Sequence, residues 1–393
     1  MPPTTPITAL CGFLGSGKTT LLRRWRRQPG YEDAALIIHD FSEVGLDADL
    51  LAGDDTTPVP GQLTGRIAAL HGIHARQTLH TSVQTALDGI LTLDPPAPHV
   101  LVESTGAARP WPLIEALTQD DRFTLRHFIV AVDALNLHRD FADGRALTGE
   151  ADLRHDPALQ QAAEVLAEQI LFANVVVLTK VDALPEAVVQ EQVARLQQLR
   201  PNAAIGLSAY GGLTLDRLAD VPAPDLPERK VLAQRFGLDR RPPTADLASL
   251  VLRDPRPFHP VRLFDACQQH LGTGVYRTKG YVWLASRPEH LLLWQQSGSQ
   301  VGFEIRGYWL AEAARDPELR PDEVAALRAR LDAHDPVFGD RRNELTVLGE
   351  PRACRVFLEA LEAALCTDDE VAAWQRGEGF ADPWPRTVKR FDG

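Results

Sequence analysis

Gly12-Phe13-Leu14-Gly15-Ser16-Gly17-Lys18-Thr19 is the stretch on which the fold of this chain turns. It fits the pattern GxxxxGK[ST]. An apolar run over 7–13 precedes it and an amphipathic stretch over 19–27 follows, so the glycines fall between an expected strand and an expected helix. Without Cβ atoms, Gly12, Gly15 and Gly17 let successive backbone N–H groups curl around phosphate oxygens, with Ser16 among them. Lys18 supplies a point charge to the β/γ-phosphates. Thr19 supplies a hydroxyl to Mg²⁺, Thr20 follows in the first helical turn, and the helix adds its positive end.

Outward from that loop, short β-branched or aliphatic runs at 34–38, 100–103, 128–132, 175–179 and 203–208 alternate with helical patterns at 82–91, 159–172 and 186–199. Near-continuous apolar strands between helices predict a mostly parallel sheet covered on both faces, an α/β doubly wound domain. A phosphate loop needs an acid at the end of a neighbouring strand to organise magnesium and the attacking water. Glu103, closing His99-Val-Leu-Val-Glu103, is that candidate, and Gly106 stands where a backbone N–H reaches the γ-phosphate. The strand 175–179 ends in Thr179-Lys180-Val181-Asp182, a TKxD variant of NKxD. The Asp182 carboxylate can accept guanine N1–H and N2–H₂, a donor pair adenine lacks, while the Lys180 stem packs on the purine. Ser208 ends the next strand, where guanine-binding proteins place a loop near O6. Guanine is thus preferred over adenine, with a generic ATPase as an alternative.

Composition narrows the classes. The 393 residues suffice for two or three domains, and 44% hydrophobic with 24% charged residues is ordinary globular composition. A net charge of −12 argues against a sequence-independent grip on nucleic acid. No apolar run reaches membrane length, and the N-terminus has no signal-peptide pattern. Four cysteines, none in CxxC spacing, encode no disulfide framework. The expectation is a soluble cytoplasmic protein. Residues 48–66 read as a Pro/Gly-rich loop. Proline and charge over 221–245 read as a linker between a domain at 1–220 and a smaller α+β domain at 246–367, with 368–393 a loosely held tail. In the second domain Trp283, Trp294, Tyr308 and Trp309 are expected in the core. Arg277, Lys279, Arg341 and Arg342 are read equally as surface charge or as facing a client or the nucleotide.

At this point the chain resembles the CobW-type P-loop GTPases, relatives of the nickel-insertion GTPases. The resemblance is carried by CGFLGSGKTTLL, IIHDFSEVGLDADLL, LVESTGAARP and AEQILFANVVVLTKVDAL, then by RPFHPVRLFDACQQHL, GVYRTKGYVWLASRP, LLLWQQSG and GDRRNELTVLG. It implies a slow GTPase using GTP/GDP with Mg²⁺, in which the γ-phosphate orders residues 40–45 and the 103–106 turn. It further implies delivery of zinc or another divalent transition metal to a client metalloprotein. No membrane or nucleic-acid partner is expected, and a homo-oligomer is compatible with the sequence.

One departure stands out. The CxCC metal motif of that family is replaced here by Ala69-Leu-His71-Gly-Ile-His74-Ala-Arg-Gln-Thr-Leu-His80. By position, Asp40, Glu43, His71, His74 and His80 form the altered metal set, a harder nitrogen and oxygen site than thiolates give. The alternative is a degenerate loop on a regulatory or scaffolding GTPase without metal cargo.

Overall fold

A computed structural model describes residues 4–40, 63–71, 76–151, 156–242, 248–271, 274–297, 300–315, 319–385 and 389–390. The chain divides into two compact units, residues 1–246 and 247–393.

The first unit is built on strands β1 (Thr5–Cys11), β2 (Ala35–Asp40), β3 (Leu63–Thr64), β4 (Ile67–His71), β5 (Val100–Glu103), β6 (Phe123–Asp133), β7 (Val175–Thr179) and β8 (Ala204–Ser208). They lie in the order β3-β4-β2-β5-β1-β6-β7-β8, all parallel except the β3–β4 pair. The helices are α1 (Lys18–Arg26), α2 (Arg76–Leu91), α3 (Pro110–Leu117), α4 (Ala134–Arg139), α5 (Pro157–Phe172), α6 (Glu186–Leu199) and α7 (Leu226–Arg235). This is the doubly wound α/β sheet expected from the sequence. With β5 and β6 flanking β1, the carboxyl ends of the central strands converge on one crevice, where open α/β sheets hold ligands.

Among the elements that depart from the sequence reading, two bear on the expected metal segment. Strand β4 falls at a run, Ile-Ala-Ala-Leu-His, whose alanines carry weak strand propensity; burial against β2 secures it instead. Helix α2 starts at Arg76, so His80 is on a helix and not in a loop. Of the 48–66 stretch, residues 48–62 lie outside the described residues.

The expected linker over 221–245 is corrected over 221–242, residues 243–245 lying outside the described residues. Asp225 caps α7, its side chain accepting from Glu228 N at 2.9 Å. Arg229, buried, donates from Nε to Phe172 O at 2.8 Å and from Nη2 to Ala173 O at 3.1 Å, satisfying carbonyls at the end of α5. Glu228 takes both guanidinium nitrogens of Arg200, at 2.9 and 3.0 Å, and also pairs with Arg229. Helix α7 is therefore part of the first unit.

The second unit holds β9 (Ala248–Asp254), β10 (Val275–Val282), β11 (His290–Ser297), β12 (Gln300–Tyr308), β13 (Asn343–Gly349) and β14 (Lys389–Arg390), ordered β14-β12-β11-β10-β13-β9. Its helices are α8 (Pro260–His270), α9 (Leu310–Ala313), α10 (Pro321–Leu331), α11 (Pro351–Ala364) and α12 (Asp368–Gln375). The α+β reading is met, but the loose tail is not. Thr367 and Glu370 form a reciprocal cap on α12, and Trp384 inserts into the core beside Trp294 and Phe303, its indole donating to Pro260 O at 3.0 Å. Trp283, Trp294 and Trp309 are core residues, whereas Tyr308 is 56% exposed. Arg341 is not surface charge. Its guanidinium is buried over Trp283 and Trp374, 5.7 and 5.8 Å from the ring centres, and donates to Glu312 and Pro288 O. No helix among the described residues is long and apolar enough to cross a membrane.

A buried polar chain crosses the first sheet. His127 Nε2 lies 3.0 Å from Leu218 O, so it donates and Nδ1 of the neutral ring is left to accept from Thr8 Oγ1, 3.3 Å away. Thr8 Oγ1 in turn accepts from His99 Nε2 at 2.9 Å. Burial lowers the His99 pKa from 6.5 to about 4, the nearby His127 adding to it, and burial lowers that of His127 as well. The unfolded chain takes up the His99 proton from about pH 6.5 downward and the folded chain only near pH 4. Stability is thus complete above pH 6.5 and falls toward pH 4, by about 3 kcal/mol for His99 alone. Urea unfolding of wild type and His99→Gln at pH 7 and pH 4 reads this directly. The wild type is expected to lose about 3 kcal/mol more than the variant between the two pH values. Parallel losses would refute the assignment.

Candidate functional site

Strand β1 delivers the glycine loop at its carboxyl end. Gly12 has φ +142°, and a Cβ there would lie 2.3 Å from Ala131 O, so no other residue lets the loop leave between β1 and β6. Gly15 and Gly17 also hold positive φ, Gly17 as the residue that opens α1. Lys18 is buried, with Nζ donating to Gly12 O at 2.8 Å and Phe13 O at 3.2 Å. The ammonium is thereby fixed over the loop beside the amino end of α1. Glycines in left-handed conformations, a buried ammonium and a helix terminus suit a polyphosphate.

Across the loop, Thr19 Oγ1 donates to Glu103 Oε1 at 2.8 Å. Glu103 is buried at the end of β5, paired in register with Leu10 of β1. A hydroxyl and a carboxylate this close form an oxygen pair of the kind a hard divalent cation takes, so the residues fit Mg²⁺. Gly106 closes the turn behind Glu103. A Cβ there would lie 2.7 Å from Leu14 N and 2.5 Å from its side chain, so the turn sits directly against the loop. From behind, buried Gln169 donates to Ala108 O at 2.8 Å and Gly106 O at 3.3 Å. Arg109, next along, pairs with buried Glu168 of α5, which also lies 3.8 Å from Arg241. Sequence reasoning missed Gln169 and Glu168 because both sit inside an ordinary amphipathic helix.

On the other side, buried Thr179 Oγ1 donates to Ser16 O at 2.9 Å and Val132 O at 3.2 Å, joining the TKxD segment to the phosphate loop. Lys180 takes a left-handed φ of +56°, its Nζ paired with Asp133 Oδ2. Asp182 follows in an exposed 3₁₀ turn. Ser208, in register with Thr179, is buried and its hydroxyl has no hydrogen-bond partner among the described residues. The turn after it approaches α1, a Cβ on Gly211 reaching within 3.2 Å of Thr20 Cγ2. The glycine loop, Glu103 and Thr179 are thus joined by hydrogen bonds at the carboxyl ends of β1, β5 and β7.

Only part of the expected transition-metal set falls among the described residues. Asp40 and His71 are register partners at the ends of β2 and β4. His80 is engaged by α3 and the residues just after it, Nδ1 3.0 Å from Gln119 Oε1 and Nε2 3.4 Å from Glu115 Oε2. Glu43 and His74 lie outside the described residues. Among the described residues no group of three or more His, Cys, Asp or Glu is arranged to hold a metal ion. The four cysteines are all buried and free. Cys11 is buried in β1, and Cys267, Cys354 and Cys366 belong to the second unit, where burial pushes each thiol up to about 12.

Comparison with known proteins follows the same division. The chain is 26% identical over 394 residues to "Zinc-regulated GTPase metalloprotein activator 1" of Dictyostelium discoideum, covering 93% of this chain and 81% of that protein. It is 35% identical over 244 residues to "Zinc chaperone Rv0106" of Mycobacterium tuberculosis, 60% of this chain and 56% of that one. It is 26% identical over 293 residues to "Zinc chaperone YjiA" of Escherichia coli, 73% and 84% of the two chains. Residues 247–365 match the cobalamin synthesis protein cobW C-terminal domain. With residues 6–206 matching the CobW/HypB/UreG nucleotide-binding domain and the glycine loop, Glu103 and TKxD in their places, the chain belongs to the CobW-type P-loop GTPase family.

Proposed function

We propose that this protein binds and slowly hydrolyses GTP, and that the nucleotide state governs its handling of zinc or another divalent transition metal for a client metalloprotein. The bond from Thr179 Oγ1 to Ser16 O carries the reading, because it sets a guanine-type tetrapeptide at a fixed distance from a phosphate loop. In this scheme Lys18 binds the β/γ-phosphates, and Gly12, Gly15, Ser16 and Gly17 wrap them with backbone N–H groups. Thr19 and Glu103 hold Mg²⁺, which when bound neutralises phosphate charge. Glu103 also orients the attacking water, Gly106 donates its N–H to the γ-phosphate, and Asp182 accepts from the guanine edge. Hydrolysis is slow because positioning and charge stabilisation are its only sources. The 103–106 turn orders around the γ-phosphate, while residues 41–45, expected to join it in that switch, lie outside the described residues.

The names of the relatives support zinc as cargo. Asp40, Glu43, His71, His74 and His80 would hold it through nitrogen and oxygen atoms, more weakly than thiolates. A second reading, a regulatory GTPase without metal cargo, is favoured by the engagement of both His80 nitrogens with Glu115 and Gln119.

Calorimetric titration decides. GTP is expected to bind at least about tenfold tighter than ATP, since adenine leaves the Asp182 carboxylate unmatched; equal affinities would overturn the guanine reading. With a non-hydrolysable GTP analogue present, Zn²⁺ should bind stoichiometrically to wild type and not to a His71, His74 and His80 triple alanine variant. Equal binding by the two removes the metal reading in favour of the second.

A further inference from the structure

We propose that Asp133 is a positioning residue for the purine, acting through Lys180. The inference rests on the guanine-nucleotide reading and adds to it a residue outside the glycine loop, the Glu103 turn and the TKxD segment. Asp133 ends β6, the strand between the phosphate-loop strand and the TKxD strand, and is the register partner of Thr179. Its carboxylate is only 5% exposed and divides its work. Oδ1 accepts from the backbone N–H groups of Leu135 and Asn136, at 2.9 and 3.2 Å, capping α4. Oδ2 takes the ammonium of Lys180.

Lys180 is consequently held at both ends. Its backbone is fixed in the left-handed region, an uncommon and mildly strained state for a side-chain-bearing residue, by the end of β7 and the 3₁₀ turn that follows. Its Nζ is fixed by a buried carboxylate. The four methylenes between become a rigid apolar rail rather than a flexible surface chain, removing the rotamer entropy that a purine packing on them would otherwise have to freeze. Asp182, two residues on, remains exposed to meet the base edge. The two acids thus have separate duties: Asp182 reads which purine is present, and Asp133 sets the platform on which any purine lies. The ordinary explanation, that Asp133 is a helix cap alone, accounts for Oδ1 and leaves the Oδ2 pairing unused.

Asparagine separates the duties, because it caps helices as well as aspartate does but carries no charge. The test is the affinity of full-length wild type, Asp133→Asn, Lys180→Met and the double variant for GDP and inosine diphosphate, which lacks the 2-amino group. Asp133→Asn is expected to weaken both nucleotides by the same factor, about tenfold, with the preference for guanine unchanged. Lys180→Met should weaken both to a similar degree, and the double variant no further than Lys180→Met alone. Unchanged affinity in Asp133→Asn, losses that multiply in the double variant, or a changed guanine-to-inosine ratio would each overturn the proposal. Should Asp133→Asn fail to fold, Lys180→Met still decides: undiminished affinity there overturns it. A wild type that binds neither nucleotide would bring down the guanine reading and this one together, whereas a wild type that binds normally beside an unaffected variant defeats this one alone.

Discussion

Lys18→Ala is expected to lower guanine-nucleotide affinity by at least about a hundredfold, roughly 2.7 kcal/mol, while leaving the chain folded. The ammonium is buried over the glycine loop with its donors on Gly12 O and Phe13 O, so it has a fixed place and little entropy left to lose on meeting a phosphate. Water cannot substitute for that charge in so enclosed a position. Removing it also frees two loop carbonyls, a smaller effect of about 1 kcal/mol on stability. Titration with a fluorescent GDP analogue measures the first effect and thermal unfolding the second. A variant that keeps the affinity of wild type would contradict the phosphate-loop assignment and all that is built on it.

Arg229→Met is expected to produce the largest loss of stability, about 3 kcal/mol. The guanidinium is 2% exposed and donates to the carbonyls of Phe172 and Ala173. Methionine fills a similar volume but offers no donor, so two carbonyls at the end of α5 are left buried and unmatched. Glu228, partly exposed, keeps its paired bonds to Arg200 and costs less. Calorimetry should show the transition of the first unit falling by about 6–10 °C and that of the second unmoved. Lys230→Ala, exposed one position along, serves as the control and should shift neither. If Arg229→Met melts with wild type, α7 contributes nothing to the unit.

These cases also show what the sequence could and could not disclose. The loop, Glu103 and TKxD were legible because each has a required residue type at the end of an apolar strand. The same rule would have marked Asp133, which closes such a strand and precedes a helix, but it matches no motif. Residues 221–245 were misread because prolines and charges outweighed Asp225-Leu-Pro-Glu228, whose first residue caps a helix with proline in its first turn. Thr367-Asp-Asp-Glu370 was the corresponding signal in the presumed tail. Arg341 and Tyr308 went wrong in opposite directions, since burial is settled by neighbours distant in sequence: an arginine between tryptophans is covered, and a tyrosine at a strand end is not. The histidine segment was the hardest, because replacing thiolates removes the pattern without showing what His80 meets instead. Its partners, Glu115 in α3 and Gln119 just past the end of that helix, are far from it in sequence.

The insertion of Trp384 has a practical bearing on how the second unit can be excised. The family match ends at residue 365, yet this indole, nineteen positions beyond, is wedged edge-on against Phe264, Trp294 and Phe303. A fragment trimmed at 365 would present those three rings to solvent as one sticky hydrophobic surface, and would be recovered as aggregate where a fragment extended through 390 is recovered as monodisperse protein.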